Sequence, residues 1–566
     1  MSGEKTWMML AAVVGVAAAM MTVEAQPAPL RRPITSEKPI FIWNVSQGSC
    51  KDLSTIPGEL RPFSAQSIDL ACSFDLSAVR RSLETAEQRQ IYSYIQSECW
   101  CTGTHLPAEY EVFFKDFKYC AGLLWAEGHG DDTRFSQSLD LCIKYGGQLI
   151  YGPLVSDTWF AFGNSTLVQK MRGNPDNMVF MWKFNKWDHT PDFCGNMNRS
   201  LGMGTWLTNV VGNWGVNPEF WFWAELYNHS VDPSDCPEGL AAQQILTSML
   251  GGATVYLKFE AFSSTSMSKL VYPLLEKMVD PSYKLLPTKE FVAANSKILM
   301  NTGTVCHTAA LDMIDGTLNN NGQWDFMPAT GRYFYAPLYP SSVPITEAQK
   351  VGTVVPATST DEGLYSGKYP QQATGNSMVV ALDTLSRWVF TNPNIARGSP
   401  STTFERALHV NTCESLGGTV GIYTYGIVDE EAEKLRIYCA YMDHGRSTTT
   451  TFTVRGHTGN ASPVVDITGD GSKSENWNGL TKTFTLTVTQ TGPVDIVIHA
   501  SGNRQTSIER SSTPVKRPSS LMRGQAAHTS YSIRGELIRA ERARSAGIRI
   551  VRYGAASSVA IEPVIR

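Results

Sequence analysis

Strong charge of either sign is missing from this chain. Forty-eight Lys and Arg face 52 Asp and Glu, for a net charge of −4, which argues against a body built to hold nucleic acid or another polyanion. After residue 25 no stretch is apolar enough to cross a bilayer. The nucleophile elbow Gly-x-Ser-x-Gly, the phosphate loop Gly-x-x-x-x-Gly-Lys-Ser/Thr and the zinc helix His-Glu-x-x-His are all absent. Nothing completes a zinc set around Cys99-Trp100-Cys101, and those two thiols stand too close for an easy mutual bridge. No metal or cofactor is therefore expected.

What is present is globular. Hydrophobic residues make up 42% of 566, enough for two or three domains with a large core in at least one. Fourteen Trp and 21 Tyr suit clefts where flat rings stack on sugars, and equally suit ordinary cores. At the N-terminus Lys5 precedes an apolar run from Trp7 to Val23, and Val23-Glu24-Ala25 ends in a small residue. Residues 1–25 read as a secretory signal, with an uncleaved anchor as the rival. If the signal is removed no stable membrane span remains, and the protein is expected to be secreted or at the cell surface. Secretion makes the 11 cysteines disulfide candidates. Cys413 and Cys439 stand apart from the other nine and are candidates to pair with each other. Five sequons, at Asn44, Asn164, Asn198, Asn228 and Asn460, are compatible with glycosylation.

Three regions follow. Over 36–345, short apolar runs at 39–45, 119–125, 148–151, 178–184 and 253–259 alternate with helix-compatible segments such as 76–97 and 240–250. Buried strands alternating with helices over about 300 residues suit an α/β fold of the (β/α)8 TIM-barrel type. Over 346–502, after a Pro/Ser/Thr/Gly-rich connection, the period shortens to two at 435–442, 449–454, 483–489 and 494–499, the pattern of an all-β sandwich. Gly469-Asp470-Gly471 and residues 476–479 read as the turns between strands. The stretch Asp466-Ile467-Thr468-Gly469-Asp470-Gly471 partly resembles a calcium loop, but Trp477 sits where the bidentate Glu would fall, and a hairpin turn is the favoured reading. The Arg- and Ser-rich tail, 503–566, reads as a solvated or disordered extension.

Three strand-end carboxylates are the candidates for chemistry. Leu124-Trp125-Ala126-Glu127 runs a buried strand into an acid and then into Gly128-His129-Gly130; His129 is more simply a loop or core histidine. Asn213-Trp214-Gly215-Val216-Asn217-Pro218-Glu219 and Thr254-Val255-Tyr256-Leu257-Lys258-Phe259-Glu260 each end on one acid as well. Carboxylates meeting at a barrel's C-terminal face can divide general-acid and general-base work. Helix capping is the competing reading for each. Trp182, Lys183, Trp187 and Trp214 are candidate sugar-binding side chains, with core packing as the alternative.

The ordered segments carry a resemblance. Asp52-Leu53-Ser54-Thr55-Ile56-Pro57-Gly58-Glu59-Leu60-Arg61-Pro62-Phe63, Trp125-Ala126-Glu127, the glycine-led runs to Glu219 and Glu260, Asn411-Thr412-Cys413-Glu414-Ser415, Ser474-Glu475-Asn476-Trp477 and Gly492-Pro493-Val494-Asp495-Ile496-Val497-Ile498 together resemble glycoside hydrolase family 98, over roughly residues 36–502. The resemblance implies a (β/α)8 barrel followed by a β-sandwich. It also implies an endo-acting, inverting enzyme that cuts β-galactosidic bonds of blood-group-type glycans or, in some members, xylan. It makes Glu127 the general acid, and Glu219 and Glu260 a pair of basic carboxylates. Glu219 departs from the family's usual Asp, and Glu225 is a possible substitute. The expected partner is an oligosaccharide or polysaccharide, with no nucleic acid; the sequence offers no basis for an oligomeric state. A glycan-binding surface protein that keeps the scaffold without the chemistry is the alternative.

Overall fold

The protein is seen in a computed structural model. It describes residues 28–69, 75–98, 107–126, 131–152, 158–184, 195–218, 238–257, 263–283, 285–295, 298–301, 337–356, 372–374, 377–381, 386–391, 401–421 and 424–499, with 530–531, 537–538, 548–553 and 558–563 beyond them. Eight parallel strands close a barrel: β1 (Ile40–Ser46), β2 (Ser64–Asp69), β3 (Ser93–Glu98), β4 (Cys120–Ala126), β5 (Gln148–Gly152), β6 (Met178–Phe184), β7 (Asn213–Pro218) and β8 (Val255–Leu257). The seam is β8 against β1, through Ile40↔Val255, Phe41↔Tyr256 and Ile42↔Leu257.

Several strands are continuously apolar because both of their faces are covered. Alternate residues face inward, where Ile40, Ile42, Ala65, Tyr94, Leu124, Ile150, Val179 and Val255 share one cluster. Their neighbours Phe41, Trp43, Ile68, Leu123, Trp125, Tyr151, Phe180 and Trp214 pack outward against the helices. The helices are bounded by local chemistry. Asp75 caps Leu76–Arg89 by accepting from the Ser77 amide, and Gln90 ends that helix in the left-handed region. Asp131 likewise caps Asp132–Tyr145, which stops at Gly146 with φ +65°.

A short N-terminal strap seals the end of the barrel opposite the strands' C-termini. Ile34 joins the interior cluster, and Asn213 donates to its carbonyl at 3.4 Å. Arg31 donates to the carbonyls of Phe114 at 2.6 Å, Phe117 at 2.6 Å, Cys120 at 3.1 Å and Tyr145 at 2.8 Å. Three of those oxygens, of Phe114, Phe117 and Tyr145, lie at or just past the C-termini of Pro107–Asp116 and Asp132–Tyr145, and the fourth, of Cys120, opens β4. Helix ends leave their last carbonyls unpaired and carry partial negative charge, so a guanidinium suits them.

The second region is the expected antiparallel β domain, a nearly closed sandwich whose ten strands are hydrogen-bonded in one continuous sheet. It comprises β12 (Gln372–Thr374), β13 (Ser377–Ala381), β14 (Arg387–Thr391), β15 (Ser401–Ala407), β16 (Ser415–Gly421), β17 (Tyr425–Glu431), β18 (Lys434–Ala440), β19 (Thr448–Arg455), β20 (Val464–Asn478) and β21 (Thr483–His499), in the order 12-13-14-17-18-21-19-16-15 with β20 on β21. Trp388, Phe390, Phe404, Phe452 and Leu486 fill the inside. The stretch 483–499, expected as two strands, is one strand that pairs with β19 through Phe484–Gln490 and with β18 through Val494–His499. The β20–β21 register shifts there: between Gly469↔Val494 and Gly471↔Gln490, three residues of β21 (491–493) stand against Asp470 alone. Gly469-Asp470-Gly471 therefore lies inside a strand, at a register shift, and is not a turn. Gly469 takes φ +105°, and a Cβ on Gly492 would meet Asp470 Oδ2 at 2.3 Å. The turn expected near 476–479 falls where the β20–β21 hairpin closes. A small parallel sheet precedes this region: β9 (Ile298–Asn301) lies between β10 (Leu338–Tyr339) and β11 (Thr353–Pro356).

Cys413 and Cys439 do not form the expected disulfide; both are buried thiols. The Cys439 thiol donates to Gln490 Oε1 at 3.4 Å, and Cys413 Sγ sits 3.8 Å from His457 Nδ1. Burial pushes the Cys439 and Cys120 thiols up to about 12, leaving neutral core residues. Among the described residues no cysteine is in a disulfide. Residues 504–566 form a separate unit, in which Ser530–Tyr531 pairs with Leu537–Ile538 and Ile548–Tyr553 with Ser558–Pro563. The expected extension thus contains two antiparallel hairpins.

Arg31→Ala should cost roughly 2–3 kcal/mol in a denaturant titration, since charge-assisted bonds to several helix-end carbonyls are lost together. Arg31→Lys, which cannot span them, should recover less than half. A loss below about 0.5 kcal/mol, typical of an ordinary surface substitution, would mean that water serves those carbonyls equally well.

Candidate active site at the barrel mouth

The barrel interior changes character towards the C-terminal ends of its strands. On β1 the inward series Ile40, Ile42 ends in Asn44; on β2, Ala65 gives way to Ser67 and Asp69. On β3, Tyr94 is followed by Gln96, and on β7, Asn217 continues the series of Asn213 and Gly215. Ser67 is fully buried, and Gln96 and Asn217 are each 3% exposed. Buried amides and hydroxyls carry a desolvation cost unless they are hydrogen-bonded. In β1 and β2 the bonds are direct: the Ser67 hydroxyl donates to Asn44 Oδ1 at 3.0 Å, and Asn44 Nδ2 donates to Asp69 Oδ2 at 3.0 Å.

The three candidate acids lie outside the described residues, but the strands before them do not. Glu127 is the residue after β4, Glu219 the residue after β7, and Glu260 comes three residues after β8. Each follows the C-terminal end of a strand, the face on which barrels of this kind carry their chemistry. Glu225 and His129 also lie outside the described residues. Trp182 and Lys183 fall in β6, their side chains outside the described set, as is Trp187.

Trp214 is not a sugar platform. It is 0% exposed, lies on the outer wall of β7, and donates from its indole to the Gly251 carbonyl at 3.2 Å. Its ring fills the space that a Cβ on Gly202 would enter at 2.7 Å. The parity of β7 puts this ring in the core rather than in the mouth. Asn44 of the first sequon is half-buried, its amide donating to Asp69 Oδ2 at 3.0 Å. The Asn460 sequon, by contrast, is exposed in the β19–β20 connection.

A second concave region, a groove of about 890 Å³, runs between the helical segment after β8 and the antiparallel sheet. Glu59, Phe63, Pro493 and Asp495 line it, so two of the segments that carried the family resemblance meet there. The groove is a joint. Lys269 pairs with Asp470 at 2.6 Å, and the Tyr438 hydroxyl donates to the Lys269 carbonyl at 3.4 Å. The Tyr283 ring holds Lys277 Nζ at 4.4 Å and the Arg387 guanidinium at 4.5 Å from its centroid. Nearby, the Gly239 amide donates to the Met442 carbonyl at 2.8 Å, at the start of Glu238–Leu250.

A closed parallel barrel with its polar mouth at the strand C-termini, joined to an antiparallel β domain, defines a barrel glycoside hydrolase once its relatives are considered. Residues 28–286 match "Glycosyl hydrolase family 98" and residues 288–501 match "Glycosyl hydrolase family 98 C-terminal domain". The chain belongs to glycoside hydrolase family 98. Solved structures of similar fold include the catalytic module of a family 98 glycoside hydrolase from Streptococcus pneumoniae TIGR4 in its native form. It is 18% identical with a TM-score of 0.68, over 83% of this chain and 100% of that one. The same module in complex with the H-disaccharide blood group antigen gives the same values. Its complex with the LewisY pentasaccharide blood group antigen is 17% identical at TM-score 0.68, with the same coverage. No curated protein matches the sequence.

Trp214→Phe should leave the KM for a cleaved glycan within about twofold, while Trp214→Ala should cost about 3–5 kcal/mol of stability by opening a core cavity. A large rise in KM for Trp214→Phe at unchanged stability would return this ring to the substrate.

Proposed function

We propose that this family 98 glycoside hydrolase is a secreted, endo-acting, inverting enzyme that cuts internal β-galactosidic bonds of blood-group-type glycans. The observation that carries the reading is strand order. Glu127 follows β4, whereas Glu219 and Glu260 follow the adjacent strands β7 and β8. Strands β4 and β8 stand opposite each other in an eight-stranded ring, so an acid and a basic pair would flank one mouth. Glu127 protonates the leaving glycosidic oxygen. Glu219 and Glu260 orient and deprotonate a water that attacks the anomeric carbon from the other face, breaking the glycosidic bond with inversion. Room for that water requires about 6.5–9.5 Å between acid and base carboxyls. The acid must hold its proton while the base stays ionised, so their surroundings have to push the two pKa values apart.

The glycan class rests on the Streptococcus pneumoniae relative, whose complexes hold blood-group oligosaccharides, and the secreted location on the segment 1–25. A second reading has one observation in its favour. Glu219 stands where the family usually has Asp, and an extra methylene displaces a carboxylate that must position water closely. A scaffold that binds glycans without cutting them would follow if that displacement is not absorbed. Xylan remains the alternative substrate.

Product release from type A and B blood-group oligosaccharides, related galactosides and xylan distinguishes these readings. The native protein should cut one class, and Glu127→Gln should lower kcat about 10²–10⁴-fold. Cleavage that survives the substitution would remove Glu127 from the acid's role, and binding without cleavage would support the lectin-like scaffold.

A further inference from the structure

We propose that Lys269 and Asp470, paired across the two domains, are positioning residues for the base Glu260. The inference rests on the hydrolytic reading above and names what holds one of its carboxylates in place. Glu260 stands three residues after Leu257, the last residue of β8, and three before Ser263. Both ends of that connection are fixed. Leu257 belongs to the barrel's interior cluster. Ser263 caps the helix that follows, its hydroxyl accepting from the Ser266 amide at 3.1 Å. So short a connection has little slack, and a shift of either end is felt at its middle.

Just beyond the cap the helix departs from α geometry. Met267–Val271 forms a π turn, closed by the Tyr272 amide donating to the Met267 carbonyl, before the chain passes into Tyr272–Val279. Such turns occur frequently at functional sites, and this one begins seven residues after Glu260. Pro273 stands four residues after Lys269 and has no N–H to give to its carbonyl. The Tyr438 hydroxyl, from β18, donates to that carbonyl at 3.4 Å, and Lys269 Nζ donates to Asp470 Oδ2 of β20 at 2.6 Å. One residue of the π turn is thus held twice from the antiparallel domain, through its backbone and through its side chain. The antiparallel domain is irregular at the same point. Gly469 takes φ +105°, and residues 491–493 of β21 stand against Asp470 alone. An irregular register re-aims the side chain at its centre, and that side chain is the one that reaches Lys269. Gly492 leaves the room for it: a Cβ there would collide with Asp470 Oδ2, the oxygen that Lys269 binds. The two side chains are 44% and 38% exposed, and an ion pair so placed contributes little to stability. Two irregular backbones that meet in one such pair point to register, rather than stability, as its role.

The test uses the full chain and the oligosaccharide that the native protein cuts fastest. Lys269→Ala and Asp470→Ala should each lower kcat about 10–100-fold, the cost of a misplaced catalytic group, with KM within about twofold of native. Their melting temperatures should fall by no more than about 3 °C. The double variant should lose no more than either single one, as members of one contact do, and Lys269→Arg, which keeps the charge, should restore most of the loss. Gly492→Ala, which leaves both charges in the chain, should match Asp470→Ala. Azide gives a readout specific to the base, because it is an anion that needs no deprotonation. Its terminal nitrogen attacks the anomeric carbon, the glycosidic C–O bond breaks, and the leaving oxygen takes the proton of Glu127. Sodium azide should therefore raise turnover of both alanine variants, and of Glu260→Ala, at least about fivefold, with a glycosyl azide as product. Unchanged kcat, a loss that follows the melting temperature or KM, or a loss that azide leaves standing would each overturn the positioning role while hydrolysis stands. A native protein that cuts nothing would overturn the hydrolytic reading and this inference with it, and a Glu260→Ala variant that cuts at the native rate would overturn the base assignment and the inference together.

Discussion

Closure of the barrel between β8 and β1 is the constraint on which the rest of the structure depends. Among the described residues three pairs make the seam, Ile40↔Val255, Phe41↔Tyr256 and Ile42↔Leu257, and they fix the parity of the neighbouring strands. Because side chains alternate, a one-residue slip would turn Asn44, Ser67 and Asp69 outward into the helix layer and bring Trp43 and Ile68 into the interior. The same seam decides that the strands preceding Glu260 and Glu127 lie opposite each other. Interior packing and the polar mouth are thus two consequences of one register.

The two ends of the barrel solve different problems. At the closed end Arg31 and Ile34 hold a strap against helix C-termini and the interior cluster. At the side, the antiparallel domain grips the helical elements around β8. It does so through Lys269–Asp470, the Tyr283 ring between two cations, and Gly239–Met442. These contacts involve the segments that lead away from β8 and into Glu238–Leu250. The domain therefore stiffens the part of the barrel that carries the proposed basic pair. Glu59, Phe63, Pro493 and Asp495 converge on one groove at this joint.

Much of the fold was legible in the sequence, and the misses are instructive. The apolar strands β1, β4, β5 and β6 stood out within a residue or two, because burial on both faces leaves a plain signature. Strands β2 and β3 did not; Ser93–Glu98 was read as part of a helical segment. Their sequences, Ser-Ala-Gln-Ser-Ile-Asp and Ser-Tyr-Ile-Gln-Ser-Glu, are polar where an ordinary strand is apolar, and that polarity supplies Ser67, Asp69 and Gln96 to the mouth. Local patterning failed where the site had replaced core residues, as functional positions tend to do. Trp214 erred in the other direction, since a glycine-flanked aromatic reads like a ligand platform until the neighbouring helix supplies Gly202 to receive it. Gly469-Asp470-Gly471 resembles a turn because glycines there permit a positive φ, which Gly469 takes; only the pairing with β21 on both sides of it shows that the strand continues.

The central claim is that one carboxylate after β4 works against a pair after β7 and β8, across a mouth wide enough for water. The anomeric configuration of the first product tests it most directly. Proton NMR of a cleaved β-galactoside, read before mutarotation, should show the α-anomer appearing first. Initial formation of the β-anomer would mean a covalent intermediate and a carboxyl separation near 5 Å, and would contradict the account.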